Sequence, residues 1–120
     1  MAWSKIILSG SVDGQPLIIT GILATTAKLV HTAIAGVINF DEVFVWAYNV
    51  ATADRLLTVR WAATATTAGQ SLRHIKQTIP AEDGLHLVIP GLPLRNGNVV
   101  RAFATANGDL GLLGYAHRVT

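Results

Sequence analysis

Residues typical of turns recur along this 120-residue chain at intervals of roughly 8 to 12 residues, and this spacing restricts the fold more than any other feature. Turns at that spacing leave room only for short strands, so they are typical of β-sandwiches and barrels. Asn-Gly, which favours tight hairpins because both residues tolerate positive φ, occurs twice near the C-terminus. The turn signals are Asp13-Gly14, Ala35-Gly36, Ala53-Asp54, Thr66 to Gln70, Pro80 to Gly84, Pro90-Gly91, Asn96-Gly97 and Asn107-Gly108.

The segments between these turns are apolar and rich in β-branched residues, which favours strands. We therefore predict an all-β protein, a single-domain antiparallel β-sandwich of about eight to nine strands. The domain spans residues 1–120, with residues 1–10 as an N-terminal arm or edge strand. The predicted strands are Trp3–Ser9, Leu17–Ile22, Leu29–Ala33, Val43–Val50, Leu56–Trp61, Leu72–Ile79, Leu85–Ile89, Asn98–Thr105 and Leu110–Val119.

One segment, residues 22–37, also fits a helix. Its apolar residues follow the i, i+3, i+4, i+7 spacing of an amphipathic helix, and Gly36 stands where such a helix would end. Threonine and β-branched residues are frequent in the segment, however, and the flanking pattern is that of strands. We predict a strand from Leu29, preceded by at most a short helical turn.

Two neighbouring strands differ in how much polar surface they offer. In Val43–Val50, alternation places aliphatic side chains on one face and mostly aromatic side chains on the other, so neither face is expected to meet water. In the next strand, Leu57, Val59 and Trp61 share an apolar face. The opposite face, which we expect to be solvated, carries Leu56, Thr58 and Arg60.

The chain has more apolar residues than one core needs. It is 51% hydrophobic and 13% charged, whereas a typical soluble domain carries about 25% charged residues. A sandwich of this size has only two inner faces to fill, and its outer faces normally show polar residues at alternate positions. We therefore expect apolar strand surface that associates with another protein chain.

The sequence lacks the patterns that catalysis or metal binding requires. It has no cysteine, and the serines and glycines form neither a nucleophile elbow nor a phosphate-binding loop. The acidic residues adjoin turn signals, where aspartate caps its own backbone. We predict no enzyme activity, no catalytic residue, no cofactor and no metal site. The histidines lack the short spacings that place two imidazoles on one metal, and they are His31, His74, His86 and His117.

The basic residues form no continuous track for nucleic acid, and the formal net charge is only +2. The densest basic cluster, Leu72–Gln77, splits its charges over two faces of a strand, and we interpret it as an edge strand that basic side chains protect from pairing. Arg95, Arg101 and Arg118 fit the rim of a protein interface or plain surface. The N-terminus has no secretory pattern, and residues 16–24 are too few to span a membrane, so we expect neither export nor a membrane partner.

Three stretches, in order, resemble the small jelly-roll or β-sandwich virion proteins of tailed bacteriophages. They are 29-LVHTAIAG-36, 42-EVFVWAYN-49 and 79-IPAEDGLHLVIPGLPLRNGNVVRAFATANGDLGLLGY-115, so the likeness runs from Leu29 to the C-terminus. Its features are a turn into a strand that ends in asparagine, an Ile-Pro-Ala start, a Val-x-Ala-x-Ala strand and a closing Gly-Tyr strand. The resemblance implies a structural component without catalytic residues, typically a head decoration or cement protein, often trimeric.

Together, these expectations describe a non-enzymatic virion protein that decorates the phage capsid and stabilises the head through apolar contacts between subunits. It would assemble into the virion in the host cytoplasm, as a homo-oligomer for which a trimer is favoured, against the major capsid protein or another virion protein. The alternative is a host- or carbohydrate-binding module of a phage fibre or tail, with its aromatic side chains as a sugar platform. The candidate interface residues are Trp3, Phe44, Trp46, Tyr48, Trp61, Arg95 and Arg101.

Overall fold

The computed structural model describes residues 2–62 and 71–120, and the turn predicted at residues 66–70 lies outside them. The described residues form nine strands and two short 3₁₀ turns, Ala24–Thr26 and Ser71–Arg73. The strands are β1 (Trp3–Ile7), β2 (Leu17–Ile18), β3 (Lys28–Thr32), β4 (Phe40–Asn49), β5 (Arg55–Trp61), β6 (His74–Ile79), β7 (His86–Leu94), β8 (Val99–Ala104) and β9 (Leu110–Val119).

The strand pairing is that of one long antiparallel hairpin folded over on itself. β1 pairs with β9, β3 with β8, β4 with β7 and β5 with β6. The hairpin then rolls up, so that β4 also pairs with β9 and β5 also pairs with β8. The result is a five-stranded sheet, β1-β9-β4-β7 with β2 beside β9, and a four-stranded sheet, β3-β8-β5-β6. This is the strand order of a jelly roll, and the predicted all-β antiparallel sandwich is confirmed.

The two sheets enclose a single apolar core. In β4 every second residue from Asp41 to Asn49 is buried, and the residues between them are half-exposed. This alternation places one face of the strand against the opposite sheet and the other outside. Sequence alternation therefore predicts correctly that Val43, Val45 and Ala47 share the core face.

The ambiguous segment contains both elements that the sequence allows. A 3₁₀ turn at Ala24–Thr26 precedes β3, and no longer helix forms in residues 22–37. The turn is closed by Thr26, whose hydroxyl accepts the Leu23 N–H at 3.2 Å. A strand after a short helical turn is therefore confirmed.

The predicted turn at Pro90-Gly91 is wrong, because β7 runs through it to Leu94. Pairing with β4 passes from Leu92 opposite Val43 to Pro90 opposite Phe44, so Gly91 is an extra residue in the strand. Gly91 has a φ of +91°, which fits a β-bulge with glycine at the bulged position. The Pro90-Gly91 pair forms a bulge rather than a turn, because β4 continues to pair with β7 on both sides of Gly91.

The second face of β5 is not solvated, so that expectation is wrong. Thr58 and Arg60 are buried, although alternation places them opposite the core face of the strand. The Arg60 Nη1 donates to the Ala24 carbonyl in the first 3₁₀ turn at 3.2 Å. That turn therefore lies over the outer side of the four-stranded sheet, a long-range contact that local alternation does not reveal.

Candidate functional site

The outer face of the five-stranded sheet carries a row of aromatic rings, which we call the aromatic face. In the register of the sheet, Phe44 of β4 lies opposite Tyr115 of β9. Because side chains alternate along each strand, this side shows the even-numbered residues of β4 and the odd-numbered residues of β1 and β9. The aromatic face comprises Trp3, Phe44, Trp46, Tyr48, Tyr115 and His117.

The rings pack against one another. The centroids of Phe44 and Tyr115 are 4.9 Å apart with an interplanar angle of 21°, and Trp46 lies 6.3 Å from Phe44 and 6.0 Å from Tyr115. These are offset-stacked geometries, which aromatic pairs prefer. His117 meets Trp3, Phe44 and Tyr115 edge to face at 5.4 to 6.0 Å. The rings therefore hold one another in a fixed array.

Two glycines let the rings lie close to the sheet. A Cβ on Gly91 of β7 would lie 2.6 Å from the Phe44 ring, and a Cβ on Gly111 of β9 would overlap the Tyr48 ring. Phe44 and Tyr48 therefore cover bare backbone of the neighbouring strands. The packing lowers the rings toward the sheet.

Exposed apolar side chains border the aromatic face. Trp3 is 57% exposed, Ile7 52% and Leu87 47%. Ile7 lies opposite Tyr115, and Leu87 lies opposite Trp46, so both stand on the same side as the rings. Contiguous apolar exposure of this kind is typical of a surface that another molecule covers.

Charge on the aromatic face lies in one row across the strands. This row contains Lys5 of β1, His117 of β9 and Glu42 of β4. The Lys5 Nζ is 5.1 Å from the centroid of the Tyr115 ring, which is a cation–π distance. A centre of aromatic rings with few charges is the composition that distinguishes protein interfaces from ordinary surface.

The structure places Trp3, Phe44, Trp46 and Tyr48 on the same side of the five-stranded sheet. The sequence-based prediction omits Tyr115 and His117, which complete the aromatic face. Their signal was present in the alternation of β9, but only the register between β9 and β4 shows that they share a side with the predicted rings.

The remaining candidates lie elsewhere. Trp61 is half-buried and packs against the core. Arg101 stands on the four-stranded sheet opposite Arg60. Arg95 follows β7 and donates a hydrogen bond to the Val37 carbonyl. Trp61 and Arg101 therefore do not share a surface with the aromatic rings. Arg95 also lines a pocket of about 410 Å³, together with Phe40, Pro93, Leu94 and Asn98.

A polar cluster, formed by His31, Asp41 and Arg118, joins the two sheets at one end of the core. Arg118 of β9 donates to Asp41 of β4 from Nε to Oδ1 at 2.8 Å and from Nη2 to Oδ2 at 3.0 Å. The His31 Nε2 lies 2.8 Å from Asp41 Oδ2, and the Ile34 N–H donates to the same oxygen at 3.2 Å. His31 and Asp41 are fully buried, so this cluster is not an accessible site.

Asp41 is an ionised carboxylate inside the protein. Burial by itself raises the pKa of Asp41, but the hydrogen bonds from Arg118 and His31 outweigh burial and hold the pKa below its usual value of 3.8. The same hydrogen bond raises the pKa of Arg118. The interpretation of Asp41 as a turn residue and of Arg118 as rim or plain surface is therefore wrong. The packing of the two sheets brings His31, Asp41 and Arg118 together, although their spacing in the sequence does not predict this contact.

β6 forms an edge of the four-stranded sheet, in agreement with the interpretation of the basic cluster there. The strand begins at His74, because residues 71–73 form a 3₁₀ turn. Burial lowers the pKa of His74, and the nearby charges of Arg60 and Lys76 lower it further. The Arg60 Nε lies 3.3 Å from the His74 Nε2, so basic groups gather on this face more closely than the sequence suggests.

Within residues 2–62 and 71–120, no group of three or more His, Cys, Asp or Glu side chains is placed to hold a metal ion. The same described ranges contain no helix with the length and apolar character needed to cross a membrane. Comparison of the chain with known protein families, characterised proteins and solved structures finds no match. Function must therefore be inferred from the fold and from the aromatic face.

Proposed function

We propose that this protein is a structural virion protein of a tailed bacteriophage, a capsid decoration or cement protein that attaches through its aromatic face. It acts by contact and turns over no substrate. Its partners are neighbouring copies, arranged as a trimer, and the major capsid protein or another virion protein. The jelly roll supports this proposal because viral capsid proteins use this architecture, which they share with lectins and cupins.

The observation that carries the proposal is the aromatic face itself. The outer faces of a sandwich normally carry polar side chains. This face instead presents stacked rings, with exposed apolar residues at its border. Glycines at two positions hold the rings low, which favours contact with a broad surface rather than insertion into a pocket. A protein lattice offers such a broad partner.

Burial of an apolar surface of this kind favours assembly. An interface of standard size removes about 800 Å² from water on each partner. The apolar part contributes roughly 25 cal/mol per Å² before the costs of association are subtracted. Because the protein would bind the assembled lattice and not its separated subunits, each contact shifts the equilibrium toward the assembled particle.

The test compares phage heads that contain the protein with heads that lack it. We expect the deficient heads to disrupt at lower temperature and under milder osmotic stress, and wild-type protein to restore their stability. Trp46→Ser should fail to restore it, because Trp46 stacks on both Phe44 and Tyr115 of the aromatic face.

Leu72→Ser is the matched control. Leu72 is a fully exposed apolar residue on the second 3₁₀ turn, outside the aromatic face, so this variant should restore head stability as the wild type does. Heads of equal stability with and without the protein would overturn the proposed function.

A host- or carbohydrate-binding module is the second candidate. The stacked Phe44, Trp46 and Tyr115 rings favour it, because exposed aromatic rings suit the apolar faces of sugars. A glycan array distinguishes the two functions. Selective glycan binding that Trp46→Ser abolishes, together with unchanged head stability, would support the module and contradict the decoration protein.

A further inference from the structure

The N-terminal edge of the five-stranded sheet is interrupted by a loop that reaches the other sheet. β1 pairs with residues 115–119 of β9, and β2 pairs with residues 111–112, so the two strands form one broken edge. Between them lie residues 8–16, which we call the crossing loop, and Ser9 and Gly10 of this loop contact β3. The Gly10 N–H donates to the Val30 carbonyl at 3.0 Å, and the Ser9 Oγ accepts the Thr32 N–H at 2.6 Å. The crossing loop thus covers the outer edge of β3 and closes one side of the sandwich.

His31 of β3 fixes the crossing loop at Ser9. The Ser9 N–H donates to the His31 Nδ1 at 3.0 Å, so this nitrogen carries no proton and the imidazole is neutral. The proton is therefore on Nε2, which donates to Asp41 Oδ2 at 2.8 Å. Both ring nitrogens are used, one as an acceptor and one as a donor, and the whole residue is buried.

A second proton on the ring is incompatible with this arrangement. Both nitrogens of an imidazolium are donors, so Nδ1–H would face the Ser9 N–H and the hydrogen bond between Ser9 and His31 would be lost. The charged groups around the ring are Asp41 from β4, which favours the added charge, and Arg118 from β9, which opposes it. The neighbour from β8 is the apolar Val100. Asp41 can therefore retain the imidazolium, whereas the contact with Ser9 cannot persist.

We propose that His31 is a protonation-dependent switch. The neutral ring holds the crossing loop against β3, and protonation of the ring releases Ser9 and Gly10 and opens that side of the sandwich. Gly10 lies so close to the Leu29 and Val30 carbonyls that a Cβ would overlap them. The contact therefore depends on close backbone approach, and a small outward movement is sufficient to break it.

The test is amide hydrogen exchange measured residue by residue from about pH 8 to about pH 5. In the wild type, the protection factors of the Ser9 and Gly10 amides should fall at least about tenfold relative to that of Val45 in β4 as the pH is lowered. His31→Gln keeps one acceptor and one donor but cannot gain a proton, so its protection ratio should stay constant. Gly10→Ala should show the open loop at every pH.

His117→Gln is the matched control, because it removes a histidine of the aromatic face and should leave the wild-type response intact. A constant ratio in the wild type, or a His31→Gln variant that responds as the wild type does, overturns the proposal. If His31→Gln does not fold, the imidazole nitrogen shifts of the wild type decide. Proton uptake at Nδ1 that coincides with faster exchange of the Ser9 amide supports the proposed switch. Proton uptake without a change in the exchange of that amide overturns it.

Discussion

At the scale of single residues, Asp41 holds together groups from both sheets, since it accepts hydrogen bonds from Arg118, from His31 and from the Ile34 backbone. Asp41→Asn leaves the Arg118 charge without its carboxylate and replaces an acceptor by a donor. We expect the free energy of unfolding to fall by about 3 kcal/mol, as when one partner of a buried ion pair is removed. Urea unfolding measures the change. Asp83→Asn, at an exposed side chain, should change stability by less than about 0.5 kcal/mol.

The contribution of Asp41 also depends on pH in a defined direction. Burial raises the pKa of Asp41, the hydrogen bonds from Arg118 and His31 lower it, and the folded-state pKa lies below the usual 3.8. The stabilisation is therefore fully present above the unfolded-state pKa and is lost as the pH falls through the folded-state pKa. We expect wild-type stability to decrease below about pH 4, and that of Asp41→Asn to decrease less steeply. Equal slopes in acid unfolding curves would contradict this expectation.

At the scale of secondary-structure elements, the pairing of β4 with β9 depends on Gly114. A Cβ there would overlap the Phe44 carbonyl oxygen and lie 3.1 Å from the Val45 Cα. Because these atoms belong to the backbone of a central strand, they cannot move aside without disturbing the ladder. We expect Gly114→Ala to cost about 3 kcal/mol. Gly36→Ala, where nothing lies within 4 Å, should cost only the strain of positive φ, about 1 kcal/mol. Thermal unfolding with equal losses would contradict this difference.

Two tryptophans on different strands should separate folding from attachment. Trp61 of β5 packs against the core, whereas Trp46 of β4 stacks on the aromatic face. Trp61→Ala should reduce the free energy of unfolding by about 2 to 3 kcal/mol, somewhat less than a fully buried tryptophan. Trp46→Ala should reduce it by about 1 kcal/mol, mainly through lost stacking. Denaturant unfolding of both variants checks the order, and a larger loss for Trp46→Ala would reverse the assignment.

Elements were predictable from the sequence where a local signal sets them. Asn96 and Gly97 both adopt positive φ between β7 and β8, as the Asn-Gly pair predicts. The sequence failed where a distant partner decides the outcome. β2 is only two residues long because the chain beyond it passes to the other sheet, where the Gly21 carbonyl accepts the Ala104 N–H of β8. Alternation separates the two faces of β5, but only sheet packing decides that Trp61 faces the core and that Arg60 is covered.

At the scale of the whole molecule, the surplus apolar residues divide between loops and one face of a sheet. Some of the apolar residues beyond the core lie on the outer face of the five-stranded sheet, where they form the aromatic face and its border. With only 13% charged residues, the chain has few charges to oppose contact between copies. The surface that alternation in β4 predicts is thus assembled from β1, β4, β7 and β9 by the jelly-roll topology.

This location predicts how purified protein should associate. We expect sedimentation to show an oligomer that dissociates on dilution, and the midpoint of thermal unfolding to rise with protein concentration, because association stabilises the folded state by mass action. Trp46→Ser should shift the equilibrium toward the monomer, since it removes a ring that stacks on Phe44 and Tyr115. Leu72→Ser, at an equally apolar but distant exposed position, should leave association unchanged. A wild type that stays monomeric at every concentration, or two variants that lose association equally, would show that copies do not meet through the aromatic face.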